Sequence, residues 1–530
     1  MSPSDYYEHE RPEVLEAIPR DAARVLDVGC GSGRLGEQLK RRQRATVWGI
    51  EVMRDASERA AERLDRVWNS PVETALPEIP EDTFDCIVTA DVLEHLADPW
   101  TVLAQLRRRL VPGGTLVASI PNVGHWQVIR DLLEGTWQYT SEGLLDRTHL
   151  RFFTRRSVRE LFWTAGLTIK EITVIPHGDG VPPALIATLR EAGLRVNGLL
   201  KDGQVFQYRV VAERRELSRA WPRVGIVVLT GNGEDDTLQC LESIRHLAYA
   251  PVDRVVISNG SADGWSHAIR SRFPDVALLD AGRTLGWAEG TNLGIRYALE
   301  RGAEYVLVLN DQAVVDPSLL TRLIETASVT PEVGLWGPRV AYHSRPDTVW
   351  AAGFTWDPKR QNFVKRDEGE ATLAADTVHV VDALPGYAML VRRDVFERVG
   401  MFAPEYLLGW EAIDFCTRAI GQGFECVVVP AALIWHKNES SLAEARSAAG
   451  EYVDTRNRLR WAGRHLPSRN RRDVRREVFQ EVWRELPRLP KWTTGARSFY
   501  WWLHEVAHEL RRPVARARLR ALFDHLLGVR

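Results

Sequence analysis

The stretch "RVLDVGCGSGRLGEQL", Arg24 to Leu39, changes character halfway along. A strand-like run ends in Gly29, Gly31 and Gly33, and a helical pattern begins at once. Glycines let a backbone turn sharply and approach a ligand closely, and the start of the helix offers free N–H groups. A glycine triplet after a strand suits several nucleotide-like cofactors, dinucleotides among them, so its neighbours must narrow the choice.

Outward from this stretch, residues 24 to about 213 alternate strand-like runs ("TVWGIE", "FDCIVTAD", "GTLVASIP", "TIKEITVI", "FQYRVVAER") with helical periodicity. That alternation predicts a doubly wound, mostly parallel sheet. Near Pro222 the pattern restarts with "RVGIVVLTGN", "DRVVISNG", "VALLD" and "YVLVLND", each followed by a helix-like segment. The strands stop near Ala443, and the tail is helical in pattern and rich in Arg and Trp. The expected organisation is α/β: one domain over 1–213, a second over 222–465, and a helical, basic and aromatic region over 466–530.

With 530 residues, two or three domains are the expectation. A net charge of -2 and a pI near 6.7 argue against a general nucleic-acid binder. The five cysteines form no CxxC pair, which argues against a disulfide framework and structural zinc and fits a reducing cytoplasm. "MSPSDYYEHERPEVLEAIPR" has charges where a signal peptide needs an apolar core, and no window reaches the apolar length of a membrane span. Residues 451–530 carry 19 Lys and Arg against 9 Asp and Glu. Two readings of the tail stay open: a solvated helical appendage, or a peripheral surface for anionic lipid at the inner face of the membrane, since "RSFYWWLHEVAHELRRPVARARLR" sets aromatics beside a basic cluster.

Asp27 stands two residues before the glycine loop, Glu51 ends the second strand, and Asp91 ends "FDCIVTAD". With "LVPGGTLVASIP" beyond them, these residues resemble the class I S-adenosylmethionine-dependent methyltransferases over roughly residues 20–175. The resemblance implies a Rossmann-like fold in which Asp27, Gly29, Gly31, Gly33 and Glu51 hold S-adenosylmethionine, with Asp91 near its methionine end. Methyl transfer to a hydroxyl needs positioning and a base. "GHWQVIRDLLEGTWQYTSEGLLDRTHLRFFT" is placed to form an acceptor pocket and is dense in Trp, Tyr, His and Asp, which suits sugar rings. His149 is the candidate base and Asp146 its orienter; His149 as a packing residue is the alternative, and His95 reads as a cap or core residue.

From "VGIVVLTGN" through "ISNGSADGWSHAIR", "YVLVLND" and "LLGWEAIDFC" to "ALIWHKNESS", about 240 residues resemble the family 2 glycosyltransferases of GT-A fold, in particular the rhamnosyltransferase-like branch. The resemblance places Thr230, Asn232, Ser258, Asn259, Asp263, Asn310 and Asp311 around a nucleotide sugar, and Asp311 with His436 around Mg²⁺ or Mn²⁺. Three carboxylate positions of the family are neutral here: Ser258, Gln312 and Ala412. Glu411 and Asp414 flank Ala412 and are the candidate substitute bases. Three states of this domain stay open: folded but non-catalytic, active with displaced ligands, or repurposed.

The expected function is O-methylation of a sugar hydroxyl on a glycan or lipid-linked saccharide during polysaccharide assembly. The alternatives are a fully bifunctional methyltransferase and glycosyltransferase using Asp311, His436 and Glu411 or Asp414, and a glycan- or nucleotide-binding module attached to a methyltransferase of protein or a small metabolite.

Overall fold

A computed structural model describes residues 11–485, apart from 179, 192–193, 195, 216–219, 231–233, 260–264, 373–376, 407–408 and 438–447, together with 517–518, 520–521 and 524–525. The chain divides into two compact units, Met1–Arg219 with Glu325–Pro331 and Ala220–Ile324 with Glu332–Arg530.

The first unit holds a seven-stranded sheet built from β1 (Arg24–Val28), β2 (Thr46–Ile50), β3 (Arg66–Trp68), β4 (Phe84–Ala90), β5 (Leu110–Pro121), β6 (Thr168–Pro176) and β7 (Val205–Glu213). The strand order is β3-β2-β1-β4-β5-β7-β6. Strands β1 to β5 pair in parallel, and β7 runs antiparallel between β5 and β6. Side chains of the central strands alternate between two cores. Leu26, Ile87, Leu116 and Ala118 enter one core with Val102, Leu103 and Leu106 of the helix Pro99–Arg109 and Val158 and Leu161 of the helix Arg155–Thr164. Val25, Val47, Cys86, Val88 and Val117 enter a second core with Leu35 and Leu39 of the helix Arg34–Arg42 and Val14 of the helix Pro12–Ala17. A sheet covered on both faces explains why its strands read as nearly continuous apolar runs.

In the second unit β8 (Val224–Leu229), β9 (Val252–Ser258), β10 (Val276–Asp280) and β11 (Tyr305–Asn310) form a parallel block. Beyond β11 the sheet continues through β12 (Ala313–Val315), β13 (Val333–Tyr342), β14 (Val349–Ala351), β17 (His379–Val381), β18 (Ala388–Arg392) and β19 (Glu425–His436), while β15 (Phe354–Asp357) and β16 (Asn362–Lys365) form a separate hairpin. The main path is β10-β9-β8-β11-β18-β13-β19-β12, with β18 antiparallel to both β11 and β13. All six residues of β8 are buried, as a central parallel strand requires.

As far as it is described, the tail is not a solvated appendage. Leu459, Trp461 and Ala462 of the helix Ala448–His465 and Val474 and Val478 of the helix Ser468–Glu485 share an apolar cluster with Tyr406 and Trp410. Trp461 lies within ring contact of Trp356, Phe363 and Trp410. These helices are therefore integral to the second unit; their Arg-rich outer faces hid a narrow apolar stripe. The aromatic and basic stretch expected at a membrane falls almost wholly outside the described residues. No described helix is long and apolar enough to cross a membrane.

Candidate functional site

The glycine loop ends β1 in the left-handed region, with φ of 69° at Gly29, 52° at Gly31 and 81° at Gly33. A Cβ on Gly29 would stand 2.6 Å from the Val92 side chain, so glycine is needed there for space as well as for φ. Glu51 follows β2 and turns back on the loop. Its Oε2 accepts from the Gly31 N–H at 2.9 Å and its Oε1 from the Met53 N–H at 2.8 Å. Each oxygen keeps a second lone pair for a hydroxyl donor.

Asp27, on the Val25 face of β1, is buried. Burial, then the neighbouring Glu51 charge, pushes its carboxyl up to about 7, with Arg11 acting in the opposite sense. The unfolded chain titrates this group near 3.8. Between those values the folded chain binds the extra proton, so stability in the absence of ligand falls as pH rises from about 4 to 7, by up to about 4 kcal/mol. Asp27→Asn is expected to remove that slope: thermal unfolding should shift upward at pH 8 and barely move at pH 4.

Asp91 sits just past β4 at φ 55°, a strained position for a residue other than glycine. Its carboxylate accepts from Ser119 Oγ at 2.8 Å, from the Arg11 guanidinium and from the Gln207 amide. Behind it opens a cavity of about 530 Å³, lined in part by Arg11, Glu94, His95, Asp146, His149 and Gln207. Gly143, Asp146 and His149 bring the segment 143–151 to its wall. The Leu150 and Arg151 N–H groups both donate to the Glu94 carbonyl at 2.8 and 2.9 Å, which docks the segment on the short turn Leu93–His95. Asp146 Oδ1 accepts from the Thr148 N–H at 2.7 Å and hydroxyl at 2.6 Å. His149 Nδ1 donates to the Leu144 carbonyl at 3.2 Å, and its ring meets that of His95 with centroids 4.8 Å apart. His95 is thus part of the cavity wall rather than a cap or core residue. The Asp146 carboxylate is turned to Thr148 and not to the imidazole; Asp146 meets His149 through its carbonyl, which accepts the His149 N–H at 3.0 Å, and the ring is held by Leu144 and the contact with His95.

In the second unit the carboxyl ends of β8, β9 and β11 lie along one edge, where open α/β sheets bind ligands. Thr230 hydroxyl donates to the Ile257 carbonyl at 3.1 Å, and Ser258 is buried at the end of β9. Asn259 is locked to Leu285 by two hydrogen bonds of 2.6 and 3.0 Å. Asn310 Oδ1 accepts from the Gln312 N–H at 2.8 Å, closing the turn around Asp311. Asn232 and Asp263 lie outside the described residues.

Asp311 and His436 are both buried, and the turn is brought to the end of β19 because Ala313 pairs with His436. Gln312 donates its amide to Asp236 at 3.4 Å, and Asp236 is ion-paired with Lys437 at 2.6 Å. A hard divalent cation wants several oxygen ligands. Among the described residues, Asp311 and His436 beside the Lys437 ammonium fall short of that set.

Glu411 opens the helix Glu411–Gly421 and is buried, with Oε1 lacking a hydrogen-bond partner. Burial pushes its carboxyl up to about 7. Asp414 is different. Its carboxylate, fully buried, accepts from Tyr406, Arg418, Arg464 and His465 at 3.1, 2.8, 3.3 and 2.7 Å. Those partners depress it to about 2, so Asp414 is a structural hub and not a substitute base. Ala412, where the resemblance expects the base, belongs to the apolar core with Leu384 and Phe415.

Residues 5–172 match a family model described as a methyltransferase domain, and residues 222–463 match one described as glycosyltransferase-like family 2. The chain joins a methyltransferase domain to a family 2 glycosyltransferase-like domain. The second of these is similar to the N-acetylglucosaminyl-diphospho-decaprenol L-rhamnosyltransferase of Mycobacterium tuberculosis, 26% identical over 229 residues that cover 38% of this chain and 71% of that protein. The methyltransferase domain is similar to the ubiquinone biosynthesis O-methyltransferase of Xylella fastidiosa, 35% identical over 144 residues, 24% of this chain and 57% of that protein. It is also similar to the methyltransferase GfsG of Streptomyces halstedii, 32% identical over 187 residues, 32% of this chain and 65% of that protein. The chain therefore spans less than two thirds of the length of these two methyltransferase relatives.

Sequence reasoning missed Arg11, Ser119, Gln207 and Glu94 in the methyltransferase domain. Ser119 and Gln207 come together only through the sheet order, which sets β7 against β5, and Arg11 reaches Asp91 and Ser119 from just before the helix Pro12–Ala17. Glu94 was visible beside His95 in "DVLEHL", but its aim into the cavity depends on a turn that no periodicity announces.

Proposed function

We propose that the methyltransferase domain transfers a methyl group from S-adenosylmethionine to a hydroxyl of a glycan or lipid-linked saccharide. The observation that carries this reading is the cavity at Asp91, which lies at the carboxyl ends of β4 and β5 and gathers Asp91, Glu94, Asp146, His95 and His149. In this reading Asp27, Glu51 and the loop hold the cofactor, and Asp91, braced by Arg11 and Ser119, faces its methionine end. S-adenosylmethionine supplies the electrophilic methyl group. His149, with Nδ1 on the Leu144 carbonyl, presents Nε2 to take the acceptor proton. Trp137 and Tyr139, exposed and in edge contact with one another, offer faces on which a sugar ring can rest.

For the glycosyltransferase-like domain the same proposal gives Thr230, Ser258, Asn259 and Asn310 the nucleotide and makes the domain a holder of the saccharide partner. Tethering then raises the local concentration of that partner for methylation. The nature of the rhamnosyltransferase relative, which acts on a diphospho-decaprenol saccharide, supports a lipid-linked acceptor at a membrane surface. A second reading is favoured by Glu411, whose buried, unpartnered oxygen and raised pKa suit a general base for sugar transfer.

Incubation of the full chain with methyl-labelled S-adenosylmethionine and glycan extracts tests the first reading: label is expected in the saccharide fraction, and label confined to protein or small metabolites overturns it. A panel of nucleotide sugars with Mg²⁺ or Mn²⁺ tests the second. Sugar transfer lost in Glu411→Gln is its expected sign, and no turnover with any donor leaves the domain a binding module.

A further inference from the structure

Glu94, His95 and His149 each point one ligating atom at a common space in the acceptor cavity, and those three atoms all lie within 4.8 Å of one another. Glu94 is 1% exposed, and its Oε2 has no hydrogen-bond partner. A buried carboxylate oxygen without a partner is costly and calls for a ligand.

The two imidazoles are prepared in the same sense. His95 Nδ1 donates to the Thr148 carbonyl at 3.2 Å, and His149 Nδ1 donates to the Leu144 carbonyl at 3.2 Å. The Thr148 hydroxyl, 3.1 Å from His95 Nδ1, gives its proton to Asp146 at 2.6 Å, and a carbonyl only accepts, so each Nδ1 carries the ring proton and each Nε2 keeps its lone pair. Anchoring one ring nitrogen on a backbone carbonyl while the other faces the ion is how proteins orient metal-binding histidines. Around a divalent cation bonded at ~2.1 Å, neighbouring ligand atoms sit roughly 3–4 Å apart, which small side-chain rotations from the present spacing would reach.

We propose that Glu94, His95 and His149 form a site for one divalent transition-metal cation facing the acceptor cavity. Two imidazoles and one carboxylate favour Mn²⁺, Fe²⁺, Co²⁺ or Zn²⁺ over Mg²⁺ or Ca²⁺, which prefer oxygen. Three protein ligands leave the cavity-facing positions open. Two adjacent oxygens of an acceptor fit them, so the substrate class is a vicinal diol, as in a sugar ring; this part rests on the methyl-transfer reading above.

Such a cation lowers the pKa of a coordinated hydroxyl. The proton passes to Asp146, held open-handed by Thr148, or to water. The oxygen then attacks the sulfonium methyl: a C–O bond forms as the S–C bond breaks, leaving a methyl ether and a neutral thioether. His149 acts in this case as a ligand and no longer as the base.

The test uses the full chain carrying Asp311→Asn and His436→Ala, which removes the other imidazole and carboxylate pair from contention. Titration with Mn²⁺ and with Co²⁺ is expected to show one site, weakened at least tenfold by Glu94→Gln and by His95→Ala. Pulsed EPR of the bound Mn²⁺ is expected to show coupling to imidazole nitrogen, a readout that needs no ligand variant to fold. No saturable site for either ion, affinity unchanged in both variants, or a bound ion without nitrogen coupling overturns the proposal. A metal site with these properties in a protein that methylates no glycan upholds it while sinking the acceptor reading.

Discussion

Glu51→Ala is expected to weaken S-adenosylmethionine binding by a factor of ~10²–10³, measured by titration calorimetry on the full chain. The carboxylate has two tasks. It accepts the Gly31 and Met53 N–H groups, which fixes the loop against β2, and in the proposed function its remaining lone pairs accept from hydroxyls of the bound cofactor. Hydrogen bonds to a charged group are worth about 1.5–3 kcal/mol each, and two of them account for the loss. Glu51→Gln keeps the shape and one acceptor oxygen, so a smaller loss is expected. A Kd within threefold of wild type in Glu51→Ala, with an unchanged urea midpoint, would mean that the cofactor is held elsewhere.

The largest stability effect is expected at Asp414, in the glycosyltransferase-like domain. Asp414→Ala leaves Arg418, Arg464 and His465 facing one another without their shared anion, and Tyr406 loses its acceptor. Breaking a buried ion pair from one side costs about 3–5 kcal/mol. Denaturant unfolding of the variant should show a loss of that size in the transition of the second unit. The pH dependence carries the same signature. The folded carboxyl is held at about 2 against 3.8 unfolded, so its contribution of about 2 kcal/mol is complete above pH 4 and is lost as pH falls through 4 to 2. Glu411→Gln, a few residues away, should leave stability unchanged or improved at neutral pH, because it removes a carboxyl that burial penalises. Equal losses in the two variants would contradict the separation of a structural Asp414 from a ligand-facing Glu411.

Much of the scaffold was legible in the sequence because it is written in local patterns. "RVLDVG" and "VGIVVL" are short apolar runs that end at glycine or polar turns, and they form β1 and β8. The alternation of such runs with helical segments is enough to predict two α/β domains. The antiparallel β7 was not legible, since its alternation of buried and half-buried residues says nothing of strand direction. Nor was the docking of the tail: Leu459, Trp461 and Ala462 are few apolar residues in an Arg-rich helix, and their partners Tyr406 and Trp410 lie far back in the chain.

At the sites, the residues on strand ends were readable and those on turns were not. Asp27, near the end of β1, and Glu51 and Asp91, just past β2 and β4, follow from their position at strand ends. Glu94 and His95 sit on a single short helical turn, and their meeting with His149 depends on backbone hydrogen bonds from Leu150 and Arg151 that leave no trace in residue type. Asp414 shows the opposite failure. An Asp beside a family's base position invites a catalytic reading, and only its four partners, two of them about fifty residues away, reveal a structural role.

The most direct test of the central claim is one reaction with ¹³C-methyl S-adenosylmethionine, the full chain and a lipid-linked saccharide acceptor, followed by NMR of the products. The expected result is a ¹³C-methyl ether on a sugar oxygen, formed in equal amount with the demethylated cofactor and absent with Glu51→Ala. A ¹³C label on nitrogen or sulfur, or cofactor consumed with no label on the saccharide, would contradict the account.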